Sequence, residues 1–137
     1  MRKFLLGLLV AGVGLIASTA FGQERLVFSN GLLAIAVWES APAPRVENKL
    51  TLQFQRVSDL VAASPEESVS VELWMPSMNH GSRPTVTKAI PGVVGGYEVS
   101  KIYFVMGGDW DVRVHLTAPN GQRETQSLQL VLPGGHH

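Results

Sequence analysis

A repeated alternation of apolar and polar residues constrains the fold of this chain more than any other feature. Positions 50–55 read Leu-Thr-Leu-Gln-Phe-Gln, and the same period of two recurs at 69–73 and 110–116. Successive side chains of a strand point to opposite faces, whereas an amphipathic helix repeats about every 3.6 residues. The pattern therefore predicts half-buried β-strands.

Turn-forming residues separate these alternating runs. Pro42 and Pro44 interrupt the chain early, and later turn signals are Pro91–Gly92, Gly95–Gly96, Gly107–Gly108 and Pro119–Asn120–Gly121. The last two predict tight hairpins, and the polar segment 57–68 predicts a connection with room for a helical turn. Strands separated by turn signals about every eight to twelve residues are typical of sandwiches. We predict an all-β fold: an immunoglobulin-like antiparallel β-sandwich of about seven strands.

The first 22 residues have the layout of a secretory signal peptide. Arg2 and Lys3 precede an almost wholly apolar run at 4–18, and small residues follow at Ala20 and Gly22. The apolar run is short for a membrane span. We therefore predict a signal peptide at 1–22, a single domain at 23–137, and a periplasmic or secreted location. A retained N-terminal membrane anchor is the alternative.

Charge and cysteine content narrow the class of protein further. Residues 23–137 hold nine basic and eleven acidic side chains, a net charge of −2. Nucleic-acid binding calls for a basic patch or stripe, so no nucleic-acid partner is expected. The chain has no cysteine, which excludes disulfides and thiol chemistry. Its stability must come from a packed core.

Enzymatic activity is not expected. The sequence has no Gly-x-Ser-x-Gly elbow, phosphate-binding loop or His-Glu-x-x-His helix. Asp109 and Asp111 resemble a carboxylate pair, but Asp is an ordinary residue beside a turn. A hydrolase that uses these aspartates or His80 is the weakest of the alternatives.

The segment Met75–Pro76–Ser77–Met78–Asn79–His80 is the main candidate site. Thioether sulfur is a soft ligand that selects copper(I), and imidazole also suits copper. Pro76 and the turn-prone residues after it favour a turning backbone, which would bring Met75, Met78 and His80 around one point. The alternative is a purely structural turn, with Met75 as core filler at a strand end.

Other candidate residues are placed by the same alternation. Met106 ends a strand and could reach the site, although its register with Phe104 also fits core packing. His115 falls on an outward face and is expected at the surface. His136 and His137 are expected to form a flexible tail. The three tryptophans are expected in the core: Trp38, Trp74 and Trp110.

Two segments carry a resemblance to a known family. The first is Leu73–Trp74–Met75–Pro76–Ser77–Met78–Asn79–His80–Gly81. The second comprises Gly96–Tyr97–Glu98–Val99 and the run from Phe104 to Val112. In this order and spacing the chain resembles the YtkA-like domain family, to which FixH-type proteins are related. The resemblance covers about 50–132.

The resemblance implies a small exported or membrane-anchored β-sandwich without enzymatic activity. Some relatives are associated with copper handling or with respiratory oxidase assembly, and the family's Met/His segment falls on Met75, Met78 and His80. Unlike FixH-type proteins, this chain has an apolar segment that looks cleavable. Two hypotheses follow: a copper(I)-binding protein that uses Met75, Met78, His80 and Met106, or a module that binds an envelope or membrane protein. The oligomeric state is not predicted.

Overall fold

The computed structural model describes residues 23–134. It contains nine β-strands and no helix between these limits. The strands are β1 Gln23–Val27, β2 Leu32–Trp38, β3 Glu47–Arg56, β4 Ser68–Met75, β5 His80–Gly81, β6 Val86–Ala89, β7 Gly96–Tyr103, β8 Gly108–Thr117 and β9 Arg123–Leu132. The predicted signal peptide at 1–22 and the tail histidines His136 and His137 lie outside the described residues.

The strands form two antiparallel sheets that confirm the predicted sandwich. One sheet has the order β1-β2-β3-β7-β6 and the other β5-β4-β8-β9. Without β1 and β5, the orders β2-β3-β7-β6 and β4-β8-β9 are those of strands ABED and CFG in a seven-stranded immunoglobulin domain. The prediction of about seven strands misses β1 and the two-residue β5, which extend one edge of each sheet.

The core lies between the two sheets and follows from the period of two. On β3 the even-numbered apolar residues are buried, and on β8 the inward positions from Trp110 to Leu116 are buried. Phe104 links the sheets, because its ring packs against Trp38 at 6.3 Å and against Trp110 at 5.4 Å between centroids. The predicted core role is confirmed for Trp38 and Trp110, both buried. It is wrong for Trp74, which faces outward with the Arg113 guanidinium over its ring at 4.9 Å.

One of the two predicted hairpins is wrong. The turn at Pro119–Asn120–Gly121 joins β8 and β9, which pair along their whole length as expected. The segment at Gly107–Gly108 instead carries the chain from β7 in one sheet to β8 in the other. The buried Phe104 occupies this crossing and forms an isolated bridge with Pro44. Phe104 packs between the sheets at this crossing, and a local turn pattern does not encode such a contact.

The strand registers place the ends of several strands at one end of the sandwich. Gln23 pairs with Val37, Glu47 with Tyr103, and Gly108 with Leu132. The end of β4 lies there too, because Trp74 pairs with Asp111 near the start of β8. We call this end the methionine pole, since it carries Met75, Met78 and Met106. The connection at 57–67, which holds one turn closed by Leu60 N donating to Arg56 O at 2.8 Å, lies at the opposite pole. Residues 23–134 contain no helix that is long and apolar enough to span a membrane.

Candidate functional site

The predicted turn after β4 is present and tight. Met78 N donates to Met75 O at 3.2 Å, and Asn79 N donates to Pro76 O at 3.3 Å. Asn79 has a φ of 55°, a left-handed conformation that Asn tolerates better than most residues. The chain thereby reverses and returns as β5, in which His80 pairs directly with Met75.

Three methionines line a single cleft at the methionine pole. Met75 comes from β4, Met78 from the turn, and Met106 from the crossing between the sheets. They are all the methionines of the chain except Met1. The cleft has a volume of about 590 Å³, and its other lining residues are Ser77, Gly108, Asp109, Val131 and Leu132. The structure thus brings together three of the four predicted ligands: Met75 and Met78 from β4 and the turn that follows it, and Met106 from a distant part of the chain.

The three methionines differ in exposure, which sets what each could do. Met75 is 3% exposed and belongs to the core, as its alternation with Leu73 predicts. Met78 is 55% exposed, so core packing does not explain it. Met106 is half-buried and packs against the core cluster. The cleft therefore has a buried thioether, that of Met75, and a solvent-exposed one, that of Met78.

The first three residues of β8 fix the three methionine segments. A Cβ added to Gly108 would lie 2.6 Å from Met75 Cε, so the Met75 methyl occupies the space that a side chain would need. The other two contacts are hydrogen bonds: Ser77 Oγ donates to Asp109 Oδ1 at 2.8 Å, and Trp110 Nε1 donates to Met106 O at 2.9 Å. Consecutive residues of one strand thus hold β4, the turn and the crossing.

His80 lies beside the cleft but is not one of its lining residues. Directly opposed residues on antiparallel strands project to the same face, so the side chains of His80 and Met75 are neighbours. The imidazole packs edge-on against Trp110, with centroids 6.0 Å apart. Its Nδ1 is 2.9 Å from Gly81 O. A carbonyl oxygen only accepts, so Nδ1 carries the proton, and in the neutral ring Nε2 keeps its lone pair.

Harder ligands do not gather anywhere in the described chain. Within residues 23–134 no three His, Asp or Glu side chains converge on a point where they could hold a metal ion. The two aspartates that flank Trp110 do not form a metal site either. Asp109 accepts a hydrogen bond from the hydroxyl of Ser77, and Asp111 lies on the outward face of β8. Any metal chemistry at the methionine pole would therefore rest on sulfur, with His80 as the nearby nitrogen donor.

His115 corrects a sequence-based prediction. Its outward orientation on β8 is as expected, but the residue is 7% exposed and not at the surface. Nε2 donates to Glu72 Oε1 at 3.0 Å, since a carboxylate only accepts, and Nδ1 lies 2.6 Å from Thr125 Oγ1. Side chains from the strands on both sides, β4 and β9, cover the ring. Both nitrogens are occupied, so His115 is a structural residue of this face.

Sequence reasoning missed the far wall of the cleft. Val131 and Leu132 end β9 beside the methionines, and Val131 is 85% exposed. Their register opposite Asp109 and Gly108 places them there, and pairing between distant strands is not visible in a local pattern. A usable signal existed in Val131, which is apolar on a face that alternation assigns to solvent.

The perturbed ionisable groups lie away from the cleft. Hydrogen bonds from Ser29, from its hydroxyl at 2.7 Å and from its N–H at 2.9 Å, hold the pKa of Glu124 below its ordinary value. The Arg56 guanidinium lowers the pKa of Asp59 in the same way, with a contact of 2.7 Å. Burial raises the pKa of Tyr97. These shifts belong to packing and loop closure at other positions.

Comparison with known families gives one match. The model of a family described as YtkA-like matches residues 36–115. The matched range runs from within β2 to within β8, and it includes the three methionines, His80 and the Gly108–Trp110 segment. No curated protein matches the chain.

Proposed function

The chain belongs to the YtkA-like family, and on that premise we propose that it is an exported, non-enzymatic β-sandwich protein that binds copper(I) or a similar soft metal ion. The ligands are the thioethers of Met75, Met78 and Met106, with His80 as a neighbouring nitrogen donor. The role is metal handling after removal of residues 1–22.

The convergence of the methionines carries this proposal. Methionines placed only to fill a core would be distributed through it, whereas Met75, Met78 and Met106 all line one cleft. Met106 comes from a part of the chain distant in sequence from Met75 and Met78, and Met78 is largely exposed. Thioethers bind copper(I) without needing deprotonation, and the chain has no thiol to compete with them.

His80 supports the same reading. A metal-binding histidine commonly donates its other ring N–H to a backbone carbonyl, which fixes the tautomer and the ring orientation. The contact of Nδ1 with Gly81 O provides this arrangement. The copper(I) set would then be two or three thioethers and one imidazole.

A second candidate function uses the same surface without a metal. The cleft is lined largely by apolar groups, and flexible methionines suit binding surfaces that adapt to a partner. The exposed Val131 extends this apolar surface. On this reading the cleft binds a segment of an envelope or membrane protein, for example during assembly of a respiratory complex.

A copper(I) titration separates the two functions. Protein expressed from the full sequence is titrated anaerobically against a chromophoric copper(I) chelator, and the mass of the purified chain shows whether residues 1–22 are removed. Met78→Leu and Met106→Leu keep the apolar volume and remove the sulfur. We expect each to weaken copper(I) affinity at least about tenfold, because each removes a ligand.

The histidines provide a matched control. His80→Gln is expected to weaken copper(I) binding, whereas His115→Gln, which lies on the outward face, should leave the affinity unchanged. Equal affinities for the wild type and both Met→Leu variants would reject the metal site. Retention of an apolar peptide by all of these proteins would then favour the interaction module.

A further inference from the structure

The outer edge of β9 is a long strand edge with open backbone groups. β9 ends the four-stranded sheet and pairs only with β8. Within residues 23–134, no backbone group of 125–132 hydrogen-bonds to another segment besides β8. The turn after β1 covers the start of the edge, because Ser29 binds the Glu124 side chain. β1 also contacts β9, but the backbone groups of 125–132 that point away from β8 have no hydrogen-bond partner within residues 23–134.

This part of the edge lacks the features that usually block strand addition. Monomeric sheet proteins protect their edges with charged side chains, prolines, bulges or very short strands. Residues 125–132 read Thr-Gln-Ser-Leu-Gln-Leu-Val-Leu, with no charge and no proline. The pairing of β9 with β8 runs without a register shift. The edge of the other sheet differs, since β1 carries Glu24 and Arg25.

We propose that β9 is a self-association edge, at which a second copy of this chain pairs antiparallel with residues 125–132. The uncharged run favours a second copy as the occupant, because antiparallel pairing of the run with itself places no like charges opposite one another. A twofold axis relates the copies, so the same edge serves both and the assembly closes at two. The two four-stranded sheets become one continuous sheet.

The register of this pairing follows from the faces of the strand. A twofold axis normal to the sheet keeps outward residues opposite outward residues, so the axis passes through a residue position near the middle of the run. An axis at Leu128 sets Ser127 opposite the partner copy's Gln129. An axis at Gln129 sets Gln129 of one copy opposite Gln129 of the other. In both cases Ser127 and Gln129, which are exposed, lie in the centre of the contact.

The contact is narrow, so the dimer is expected to be weak. A single strand pair buries less surface than a standard interface of about 1,600 Å², and small interfaces belong to transient complexes. Association is therefore expected in the micromolar range. It does not depend on a bound metal, and metal-free protein is used to test it.

Sedimentation velocity of metal-free protein over about 5–500 μM tests the proposal in the concentration range of weak complexes. Protein expressed from the full sequence is used, and its mass shows whether residues 1–22 are present. Ser127→Lys/Gln129→Lys and Ser127→Glu/Gln129→Glu each place like charges opposite one another in either register. Each variant alone is expected to dimerise at least about tenfold more weakly than wild type. A 1:1 mixture is expected to recover a dimer, because opposite charges then face each other.

The control adds the same charge elsewhere. Thr51→Lys/Val86→Lys changes the five-stranded sheet, on its outward face and at its β6 edge, and should dimerise like wild type. A wild type that stays monomeric to 500 μM would overturn the proposal. So would dimerisation that the Thr51→Lys/Val86→Lys variant abolishes and the β9 charges leave intact. Circular dichroism confirms that each variant is folded.

Discussion

At the scale of single residues, Gly108 has the most specific requirement. Its φ of 114° is one that residues with a side chain rarely adopt, and Met75 Cε fills the position of a Cβ. Gly121, at the tip of the hairpin between β8 and β9, has a φ of 90° but no atom within 4 Å of an added Cβ. A side chain at Gly121 would therefore cause backbone strain alone, whereas a side chain at Gly108 would also clash with Met75.

We predict that Gly108→Ala lowers the free energy of unfolding by about 1–3 kcal/mol, through strain and displacement of the Met75 methyl. Gly121→Ala should cost only about 1 kcal/mol, since strain acts alone. Urea denaturation measures both. Equal losses would show that Met75 moves aside freely. Copper(I) affinity should fall in the Gly108 variant alone if the proposed site is correct.

The sequence predicted residue orientation better than residue burial. Alternation correctly placed Met75 inward and His115 outward. It failed for the exposure of His115, because the covering groups, Glu72 and Thr125, come from strands far away in sequence. Whether an outward side chain is buried depends on the residues beside it on the neighbouring strands, and these can be identified only after the strand register has been determined.

At the scale of elements, the turn at 75–79 depends on a contact outside itself. Its two backbone hydrogen bonds measure 3.2 and 3.3 Å, near the long end of the usual range. The 2.8 Å hydrogen bond from Ser77 to Asp109 attaches the turn to β8. The position of Met78 is thus set by two elements, and Pro76 and Asn79 alone do not fix it.

Ser77→Ala is expected to loosen this turn without unfolding the sandwich. The loss of one exposed hydrogen bond should cost about 0.5–1 kcal/mol. Hydrogen exchange at the Met78 and Asn79 amides should accelerate about three- to fivefold, while amides in β8 keep their protection. Asp109→Asn, which retains an acceptor oxygen, should exchange like wild type. Unchanged exchange in Ser77→Ala would show that the turn is held by its own backbone.

The contact between β9 and the turn after β1 gives a pH dependence. The pKa of the Glu124 carboxyl is lowered by the Ser29 hydrogen bonds, so its stabilising contribution is complete above its ordinary value of 4.5. It is lost as the pH falls through the lower value in the folded protein. In Glu124→Gln the free energy of unfolding should therefore fall less steeply than in wild type as the pH is lowered from about 5 to about 3.

The effect is small because Glu124 is only half-buried and water screens its hydrogen bonds, and less than about 0.5 kcal/mol is expected. Urea denaturation at several pH values measures it. Ser29→Ala removes the hydroxyl donor but keeps the backbone N–H, so it should flatten the curve in part. A Glu124→Gln curve that parallels the wild type would contradict the assignment.

The crossing from β7 to β8 shows that local sequence patterns predict the strands themselves but not which strands pair. Gly107–Gly108 looks like a hairpin turn, and both flanking runs have the expected period. The choice between a hairpin and a crossing depends on whether Phe104 is buried between the sheets, which requires both sheets to exist. Strand identity was therefore predictable, and strand pairing across this segment was not.

At the scale of the whole molecule, two sheets are held together without a covalent link. Immunoglobulin domains of antibodies carry a disulfide between the sheets, whereas this chain has no cysteine. Contacts of Phe104 with Trp38 and Trp110 join the sheets at the methionine pole. Alternation predicted half-buried strands that must cover their apolar faces against another layer, and the spacing of the turn signals favoured a sandwich.

Trp110→Phe tests how much the contacts of Trp110 contribute to holding the two sheets together. The substitution keeps a ring in the core but removes the indole N–H that binds Met106 O. We expect a loss of about 1–3 kcal/mol in a single cooperative transition. Trp74→Phe, on the outward face, should cost less than about 1 kcal/mol, since mainly its stacking with Arg113 changes. Urea unfolding followed by circular dichroism and by fluorescence compares the two, and similar losses would contradict a central role for Trp110.

The pairing of Gln23 with Val37 and of Leu132 with Gly108 has a practical consequence for handling the protein. A tag or fusion joined near either position lies at the methionine pole, and a polyhistidine appended beside Leu132, which lines the cleft, would offer imidazoles to the same ions. Immobilisation through Gln23 would turn the cleft toward the support. Attachment at the exposed Asn120, in the hairpin at the other end of the sandwich, leaves the cleft open to solution. The position of a label thus decides whether a binding assay reports on the protein or on the label.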